Sequence, residues 1–189
     1  MDTGSPGFCL TENEPDPEMT TMQLNIRRLR AEDADAFVAL RREALETEPL
    51  AFGASVDDDV GLVRKSVRTF LDDREEQAVF GQFDGVALVG MVGLVRQSKV
   101  KQRHKATIWG MYVAPRGRSK GVGRALLEAA IEHARGWGLD QVHLSVTEAH
   151  PHAKQLYETA GFRPWGQEPR SLLWEGRYAD EHHLVLEFR

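Results

Sequence analysis

The most informative segment of the chain is Trp109–Gly138, WGMYVAPRGRSKGVGRALLEAAIEHARGWG. Its first five residues are mostly apolar and aromatic, as in a β-strand, and Pro115 ends that strand because proline lacks the N–H that a sheet requires. From Val122 onward, apolar residues recur at helical spacing, and Gly138 stands where a glycine commonly ends a helix. The segment therefore predicts a strand, a glycine-rich turn and a helix in succession.

The predicted turn combines glycine with positive charge. Gly121 and Gly123 have no side chains that would keep a ligand from the unpaired N–H groups at the positive end of the helix. Four basic residues surround these groups: Arg116, Arg118, Lys120 and Arg124. Such a combination binds phosphate. The alternative is a tight turn whose basic side chains only face solvent, and the strand before it and the helix after it favour the phosphate site.

Two common phosphate-binding motifs do not fit this turn. A Walker loop has its lysine directly before a serine or threonine, whereas Lys120 is followed by Gly121. The G-x-G-x-x-G fingerprint of dinucleotide-binding proteins requires a different spacing of glycines. The pattern that fits is R-x-x-G-x-G, from Arg118 to Gly123. It resembles the acetyl-CoA pyrophosphate loop of the GNAT superfamily of N-acetyltransferases.

A second segment strengthens this resemblance. Residues His150–Phe162, HPHAKQLYETAGF, are similar to the family's N-x-x-A-x-x-L-Y-x-x-x-G-F. The interval between the two segments suits a helix, a strand and a second helix, as the family has. The resemblance covers the chain from about Leu24 to its end. It implies acetyl-CoA as co-substrate.

Composition indicates one ordinary domain in a chain of 189 residues. The formal net charge is −5, and five carboxylates precede Arg27, the first basic residue, so the remainder is near neutral. It lacks the basic footprint of a nucleic-acid-binding protein. Residues 1–21 carry few large apolar groups and are expected to form a disordered acidic tail. Residues 22–189 are expected to form the acetyltransferase domain.

The chain shows no sequence feature of export or membrane insertion. The single cysteine, Cys9, excludes an intrachain disulfide. No apolar run is long enough to span a membrane, and the N-terminus lacks the basic start and apolar core of a secretory signal. We therefore expect a cytoplasmic protein that binds neither membranes nor nucleic acid. The resemblance is also compatible with a homodimer that forms through the terminal strands.

The first third of the chain predicts a strand and two helices. The alternation of Leu24, Ile26 and Leu29 predicts a first strand with these residues facing inward. A helix is expected from Ala31 to just before Pro49. Ser55–Asp58 then predicts a capping box at the start of a second helix. The aspartates 57–59 have an alternative role, which is to attract a cationic substrate.

The remaining elements complete a single domain. Asp84-Gly85 between two apolar runs predicts a hairpin. The alternation in Gln141–Glu148 predicts a strand parallel to the one at Trp109, and two closing strands flank Glu175-Gly176. The chain is thus expected to form one GNAT-like α/β domain. Its mixed, mostly antiparallel, twisted sheet has about six to seven strands and about four flanking helices. The resemblance adds a central parallel strand pair that splays apart.

The expected chemistry is acetyl transfer from a thioester to an amine. Tyr157 matches the tyrosine that acts as general acid in the family, and it is the expected catalytic residue. A phenol of pKa about 10 can donate a hydrogen bond to a departing thiolate whose thiol has a pKa of about 8.5. The alternative is a core tyrosine on an amphipathic helix. Family members that acetylate peptide N-termini have a glutamate twelve residues earlier, where this chain has Ser145. The general base therefore stays open, with Glu148 or a water chain as candidates.

The resemblance also implies which residues hold acetyl-CoA. Backbone N–H groups of the strand would contact the pantetheine and the thioester, and the turn would bind the pyrophosphate. His150 replaces the family's usual asparagine as a cofactor contact. The expected cofactor-binding residues are Met111, Tyr112, Val113, Arg118, Ser119, Lys120, Gly121, Val122, Gly123, Arg124, His150 and Tyr157. No metal is expected, because adjacent histidines such as His182 and His183 face opposite sides of a strand.

Three classes of function fit these observations. The favoured one is an acetyl-CoA-dependent N-acetyltransferase that acts on a small primary amine by direct attack in a ternary complex. An amino acid, a polyamine-like compound or an amine-bearing antibiotic would qualify as acceptor. The alternative within enzymes is acetylation of protein N-termini or lysines. Outside enzymes, a CoA-responsive binding module without turnover, or an inert structural protein of the same fold, stays open.

Overall fold

The computed structural model describes residues 24–73 and 75–188. The expected acidic tail, residues 1–21 with Cys9, lies outside the described residues. Seven strands and four α-helices occur within the described part of the chain. The strands are β1 (Ile26–Arg28), β2 (Gln77–Asp84), β3 (Ala87–Arg96), β4 (Lys105–Val113), β5 (Gln141–Thr147), β6 (Arg163–Trp174) and β7 (Arg177–Glu187). The α-helices are α1 (Ala34–Thr47), α2 (Arg64–Asp72), α3 (Val122–Gly136) and α4 (Pro151–Thr159). Short 3-10 helices lie at Ala31–Asp33, Pro49–Ala51, Val60–Leu62, Val100–Gln102 and Pro115–Gly117.

The seven strands form one mixed sheet in the order β1-β2-β3-β4-β5-β7-β6. All neighbours are antiparallel except β4 and β5, which are parallel. This confirms the predicted single α/β domain with a mostly antiparallel sheet and a central parallel pair. The hairpin at Asp84-Gly85 is also confirmed, and Gly85 has the positive φ, +58°, that a glycine adopts without strain.

Helices cover both faces of the middle of the sheet. Strand β3 is buried along most of its length because it has a packed helix on either side. One face packs against α3, whose buried residues are Val122, Leu126, Leu127, Ala130, Ile131 and Ala134. The opposite face packs against α1 and α2 through residues that include Phe37, Leu40 and Val67. Within the described ranges, no helix combines the length and the apolarity that crossing a membrane requires.

Strands β4 and β5 separate soon after they begin. They pair only at Lys105–Gln141, Ala106–Val142 and Thr107–His143, although β4 continues to Val113 and β5 to Thr147. Gly110 has a φ of +61°, and the register between β3 and β4 shifts at this point. Such a bulge bends a strand, here at the place where the two strands diverge. The divergence opens the sheet between its two faces.

Two predictions about the N-terminal half are wrong. Ser55–Asp58 is not a helix cap. The Asp58 carboxylate accepts hydrogen bonds from the Ser55 N–H at 2.6 Å and from its hydroxyl at 3.0 Å. This local bonding closes a turn, as short polar side chains often do outside helices, and α2 begins only at Arg64. Leu24 does not face inward, because strand pairing starts only at Ile26, and its side chain is 43% exposed.

A glycine in β3 provides a test of how the sheet packs. A Cβ added at Gly93 would overlap the ring of Trp109, which packs edge-on against Phe37 and Phe70. We expect Gly93→Ala to lower the free energy of unfolding by about 1–3 kcal/mol, because overpacking displaces this aromatic cluster. Gly136→Ala is the control, since a Cβ there meets nothing within 4 Å. Chemical denaturation should show no loss for the control, and equal losses for the two variants would contradict the packing.

Candidate active site

The turn before α3 presents a run of unpaired backbone N–H groups. The N–H groups of Gly117 and Arg118 close the preceding 3-10 turn, and the first N–H to bond into α3 is that of Ala125, to the Gly121 carbonyl at 3.0 Å. Between them, the six N–H groups from Ser119 to Arg124 have no acceptor among the described residues. Gly121 has a φ of +75° and no side chain that could cap the helix. The turn therefore has the unpaired donors that the predicted phosphate site requires.

The positive charge around this turn is largely paired with carboxylates. Arg116 donates to Glu43 at 3.0 Å, and Arg118 donates to Glu48 at 2.8 Å. These two pairs join the turn to α1. Arg124 pairs with Glu128 one helical turn later. Among the described residues, Lys120 is the one cation of the four with no carboxylate within ion-pair distance. The anion would thus meet mainly amide dipoles.

A cleft of 360 Å³ leads from this turn to the diverging strands. Seven of the residues predicted to bind the cofactor line it: Met111, Tyr112, Val113, Arg118, Gly123, His150 and Tyr157. Of the other five predicted residues, three lie in the turn at its mouth, and Val122 and Arg124 lie in the first turn of α3. The Val122 side chain is buried in the core, so that residue offers only its N–H. The Arg124 side chain lines a separate groove between α3 and α4.

The backbone of β4 has free hydrogen-bonding groups in this cleft. Ala114 donates to Val89 of β3 at 2.9 Å, and bonding toward a neighbouring strand alternates along an antiparallel pair. The N–H and carbonyl of Val113 therefore point to the opposite edge, toward β5, which has already diverged. The Arg118 guanidinium donates to the Val113 carbonyl at 3.0 Å. The Val113 N–H is left as a donor on the cleft side.

Tyr157 lies where the cleft meets a cavity of 80 Å³ between β4 and β5. It is 7% exposed, and its hydroxyl donates to the sulfur of Met111 at 3.4 Å. Burial raises the pKa of Tyr157 to about 12. The phenol therefore keeps its proton at neutral pH and can act as a hydrogen-bond donor within the cleft.

The imidazole of His150 also lines both cavities. His150 occupies the N-cap position of α4, but its side chain makes no capping hydrogen bond. Its Nε2 atom is buried and has no partner among the described residues. A buried ring nitrogen without a partner is costly unless a ligand supplies one. This position fits the predicted cofactor contact.

A buried ion pair behind the cleft was not predicted from the sequence. Arg41 of α1 donates to the Asp59 carboxylate at 3.0 Å, and its guanidinium lies over the ring of Phe52, 4.5 Å from the centroid. Phe52 lines both cavities next to Tyr157. The pair thus holds the loop between α1 and α2 against the site. The available signal was an arginine at a helical position that belongs to the apolar stripe of α1.

A larger pocket of 720 Å³ lies beside these cavities, and the 3-10 helix Pro49–Ala51 contributes to both. The α1–α2 loop and the β6–β7 hairpin form its walls. Among the described residues, no lysine or arginine lines it, and four carboxylates do: Glu46, Asp57, Asp58 and Glu175. A backbone hydrogen bond from Ser55 lowers the pKa of Asp58, so this group is charged at neutral pH. In the described residues, nowhere do three His, Cys, Asp or Glu side chains come together as a metal site would require.

The raised pKa of Tyr157 predicts a loss of stability at high pH. The unfolded chain would ionise this phenol near pH 10, whereas the folded protein keeps the proton up to about pH 12. Between these values the unfolding free energy should fall by up to about 2–3 kcal/mol. Urea denaturation below pH 10 and near pH 12 measures the loss, and Tyr157→Phe should lose less. Tyr112 is present in both proteins, so its ionisation affects both equally. Equal losses of unfolding free energy would therefore contradict the burial of the Tyr157 phenol.

Comparison with known proteins identifies the family. Residues 37–162, about two thirds of the chain, match the model of the acetyltransferase (GNAT) family. A mycothiol acetyltransferase from Beutenbergia cavernae is 30% identical over 129 residues, which are 68% of this chain and 41% of that protein. A streptothricin acetyltransferase from Streptomyces lavendulae is 31% identical over 95 residues, 50% of this chain and 49% of that protein. The chain spans less than half the length of either relative.

Solved structures share the fold. An acetyltransferase of the GNAT family from Streptococcus pneumoniae superposes with a TM-score of 0.79 at 26% identity, over 88% of this chain and all of that one. A phosphinothricin acetyltransferase from Sinorhizobium meliloti, solved in complex with acetyl-CoA, gives 0.76 at 20% identity, over 88% and 89%. The sequence match and the shared architecture agree, and the chain belongs to the acetyltransferase (GNAT) family.

Proposed function

We propose that the protein transfers the acetyl group of acetyl-CoA to a primary amine of a small molecule, by direct attack in a ternary complex. The observation that supports this most is the run of six unpaired N–H groups at Ser119–Arg124, at the mouth of a cleft that ends at Tyr157. Amides at a helix start bind the oxygens of a pyrophosphate. From this turn the cleft leads to the diverging strands, so a pantetheine chain that lies in it would bring the thioester to them.

The residues along the cleft suit the successive parts of acetyl-CoA. The turn would hold the pyrophosphate, and Lys120 would add an unpaired positive charge. The Val113 N–H, which faces the gap between β4 and β5, would donate to a carbonyl of the pantetheine or to the thioester oxygen. Donors fixed in place where negative charge develops are an effective way to lower the barrier to acyl transfer. His150 would place its unpartnered Nε2 against the cofactor.

Tyr157 would act as the general acid. As the amine forms its bond to the acetyl carbon, the bond from that carbon to sulfur breaks, and the departing sulfur gains negative charge. The phenol stays protonated because burial raises its pKa to about 12. It already donates to a sulfur atom, that of Met111. The sulfur of CoA would replace this acceptor.

The pocket of 720 Å³ favours a cationic acceptor. Its four carboxylates attract positive charge, and no basic side chain of the described residues lines it. A polyamine-like compound or an amine-bearing antibiotic carries further amino groups that these carboxylates can bind. A simple amino acid would bring a carboxylate into an acidic pocket, so it fits less well. The similarity to a streptothricin acetyltransferase agrees with this choice. We also propose a cytoplasmic location, where acetyl-CoA is available.

Binding of acetyl-CoA is the most direct test of the proposed function. Titration calorimetry with the unaltered protein should show micromolar binding, and Gly121→Asp should weaken it by about 30-fold or more, roughly 2 kcal/mol. The aspartate puts a negative charge where the pyrophosphate would lie. Gly138→Asp is a matched control, since Gly138 also has a positive φ, +68° against +75°, and lies at the other end of α3. If the unaltered protein does not bind acetyl-CoA, the proposal fails.

The second prediction concerns turnover. Release of CoA thiol should be measured against a panel of amines that includes polyamines, aminoglycosides and amino acids. Compounds with several positive charges should give the highest kcat/KM. Tyr157→Phe should lower kcat by about 10²–10⁴ because the general acid is lost, while the acetyl-CoA affinity stays within about twofold. An acetyl-CoA complex that turns over no amine would favour the binding module instead.

A further inference from the structure

Three polar residues on adjacent strands lie in series next to the site. Ser145 of β5 lies directly opposite His183 of β7, and its Oγ is 2.8 Å from the Nδ1 of that histidine. On the other side of the ring, the carboxylate of Glu168 in β6 lies 3.3 Å from Nε2. The series Ser145–His183–Glu168 thus crosses three neighbouring strands.

Ser145 lies at the reaction centre defined above. It lines the 80 Å³ cavity between β4 and β5 together with Tyr157, Met111 and Gly110. Its neighbours Leu144 and Val146 are buried under α3 and α4, so Ser145 faces the opposite side of the sheet. Tyr157 accounts for the hydrogen bond that stabilises the departing sulfur. No residue so far accounts for the proton that the amine must lose.

We propose that Ser145 accepts this proton and passes its own proton to His183, which Glu168 holds in place. This inference rests on the proposed acetyl transfer and supplies its missing base. Ser145 is the residue that would touch the acceptor amine. His183 and Glu168 act through it and have no contact with the substrate.

The geometry selects the tautomer that this transfer needs. A carboxylate beside Nε2 favours a proton on that nitrogen, which leaves Nδ1 as the acceptor of the Ser145 hydroxyl hydrogen. When the amine bonds to the acetyl carbon, its nitrogen becomes positive and gives a proton to Ser145 Oγ. The hydroxyl proton moves to Nδ1, and the resulting imidazolium faces the Glu168 carboxylate. Tyr157 donates a hydrogen bond to the departing sulfur, and CoA leaves as the thiolate. After product release, His183 loses its extra proton to solvent and the CoA thiolate takes one from solvent, so the protons balance.

The surroundings of His183 suit a proton acceptor. The ring of Trp165 packs against the His183 ring, with the centroids 5.4 Å apart. The ring of His143 in β5 packs edge-on against the same tryptophan. Burial lowers the pKa of His143, so that ring stays neutral. The carboxylates on this face include those of Glu168, Glu181 and Glu187, and the Glu181 carboxylate accepts a hydrogen bond from the Ser171 hydroxyl. Negative charge therefore lies on the same face of the sheet as the ring that accepts the proton.

Kinetics with the best amine of the panel test this series. Ser145→Ala and His183→Asn should each lower kcat about 10²-fold, and Glu168→Gln should lower it less than about tenfold. The acetyl-CoA affinity should be unchanged in all three. His182→Asn is the matched control, because this neighbour lies on the other face of β7 and should keep full activity. Activity retained in Ser145→Ala would overturn the proposal.

A rescue variant separates a chemical role from a structural one. The double variant Ser145→Glu/His183→Asn has a carboxylate that can take the proton by itself. Its kcat should therefore be at least tenfold higher than that of His183→Asn alone. The acid limb of its kcat/KM profile should move to lower pH, since ordinary carboxyl and imidazole pKa values are about 4.3 and 6.5. If the Ser145–His183 hydrogen bond had only a structural role, the double variant would not regain activity. A double variant with no recovery in kcat and no movement of the acid limb would therefore contradict the proposed proton transfer.

A measurement without turnover distinguishes failure of this inference from failure of the proposed function. Nitrogen-15 NMR of labelled histidine should show the His183 proton on Nε2, with Nδ1 as the acceptor, and Ser145→Ala should shift the Nδ1 signal. If the unaltered protein acetylates no amine, the proposed function has failed and this spectrum still decides the hydrogen-bonding pattern. A proton found on Nδ1 would make Ser145 the acceptor of the bond and overturn the proposed transfer.

Discussion

The separation of β4 from β5 is the constraint on which the rest of the site depends. Two parallel strands that pair over three residues and then diverge leave backbone groups without partners, which is costly in a buried region. The structure compensates for part of this cost. The Arg118 guanidinium satisfies the Val113 carbonyl, and the bulge at Gly110 redirects β4. The remaining N–H groups are the donors that the proposed cofactor would use, so the incomplete pairing would serve binding.

The arginines beside the start of α3 are also paired within the protein. Arg116 and Arg118 are engaged by Glu43 and Glu48, so the turn is tied to α1 and its excess charge is small. An anion in the turn would be bound mainly by backbone dipoles, which are fixed in direction and need no reorganisation. This arrangement also explains how a domain with little net charge can present a phosphate site. The binding groups are amides, which formal charge does not count.

Sequence patterns predicted the elements whose cause is local. The turn and helix from Arg118, the Asp84-Gly85 hairpin and the segment around Tyr157 each depend on residues close together in the chain. The Ser55–Asp58 pattern failed because the same side chains can close a turn as well as cap a helix. The Arg41–Asp59 pair and the Ser145–His183–Glu168 series could not be predicted. They depend on which strands and helices become neighbours and on the register between β5, β7 and β6. Register is set by packing of the whole sheet.

In the proposed reaction, the two residues that handle protons lie on opposite faces of the sheet, and the divergence of the strands connects these faces. Tyr157 belongs to the core formed with α3 and α4, whereas Ser145 faces the side that carries α1 and α2. An intact sheet would separate a proton donor on one face from a proton acceptor on the other by a layer of hydrogen-bonded backbone. The gap between β4 and β5 removes that layer at one point, where the 80 Å³ cavity contacts both residues. A thioester that enters from the α3 side can therefore meet an amine that enters from the acidic pocket beside α1. Direct transfer between two bound substrates requires such an opening, because each substrate must reach the same carbon from a different side.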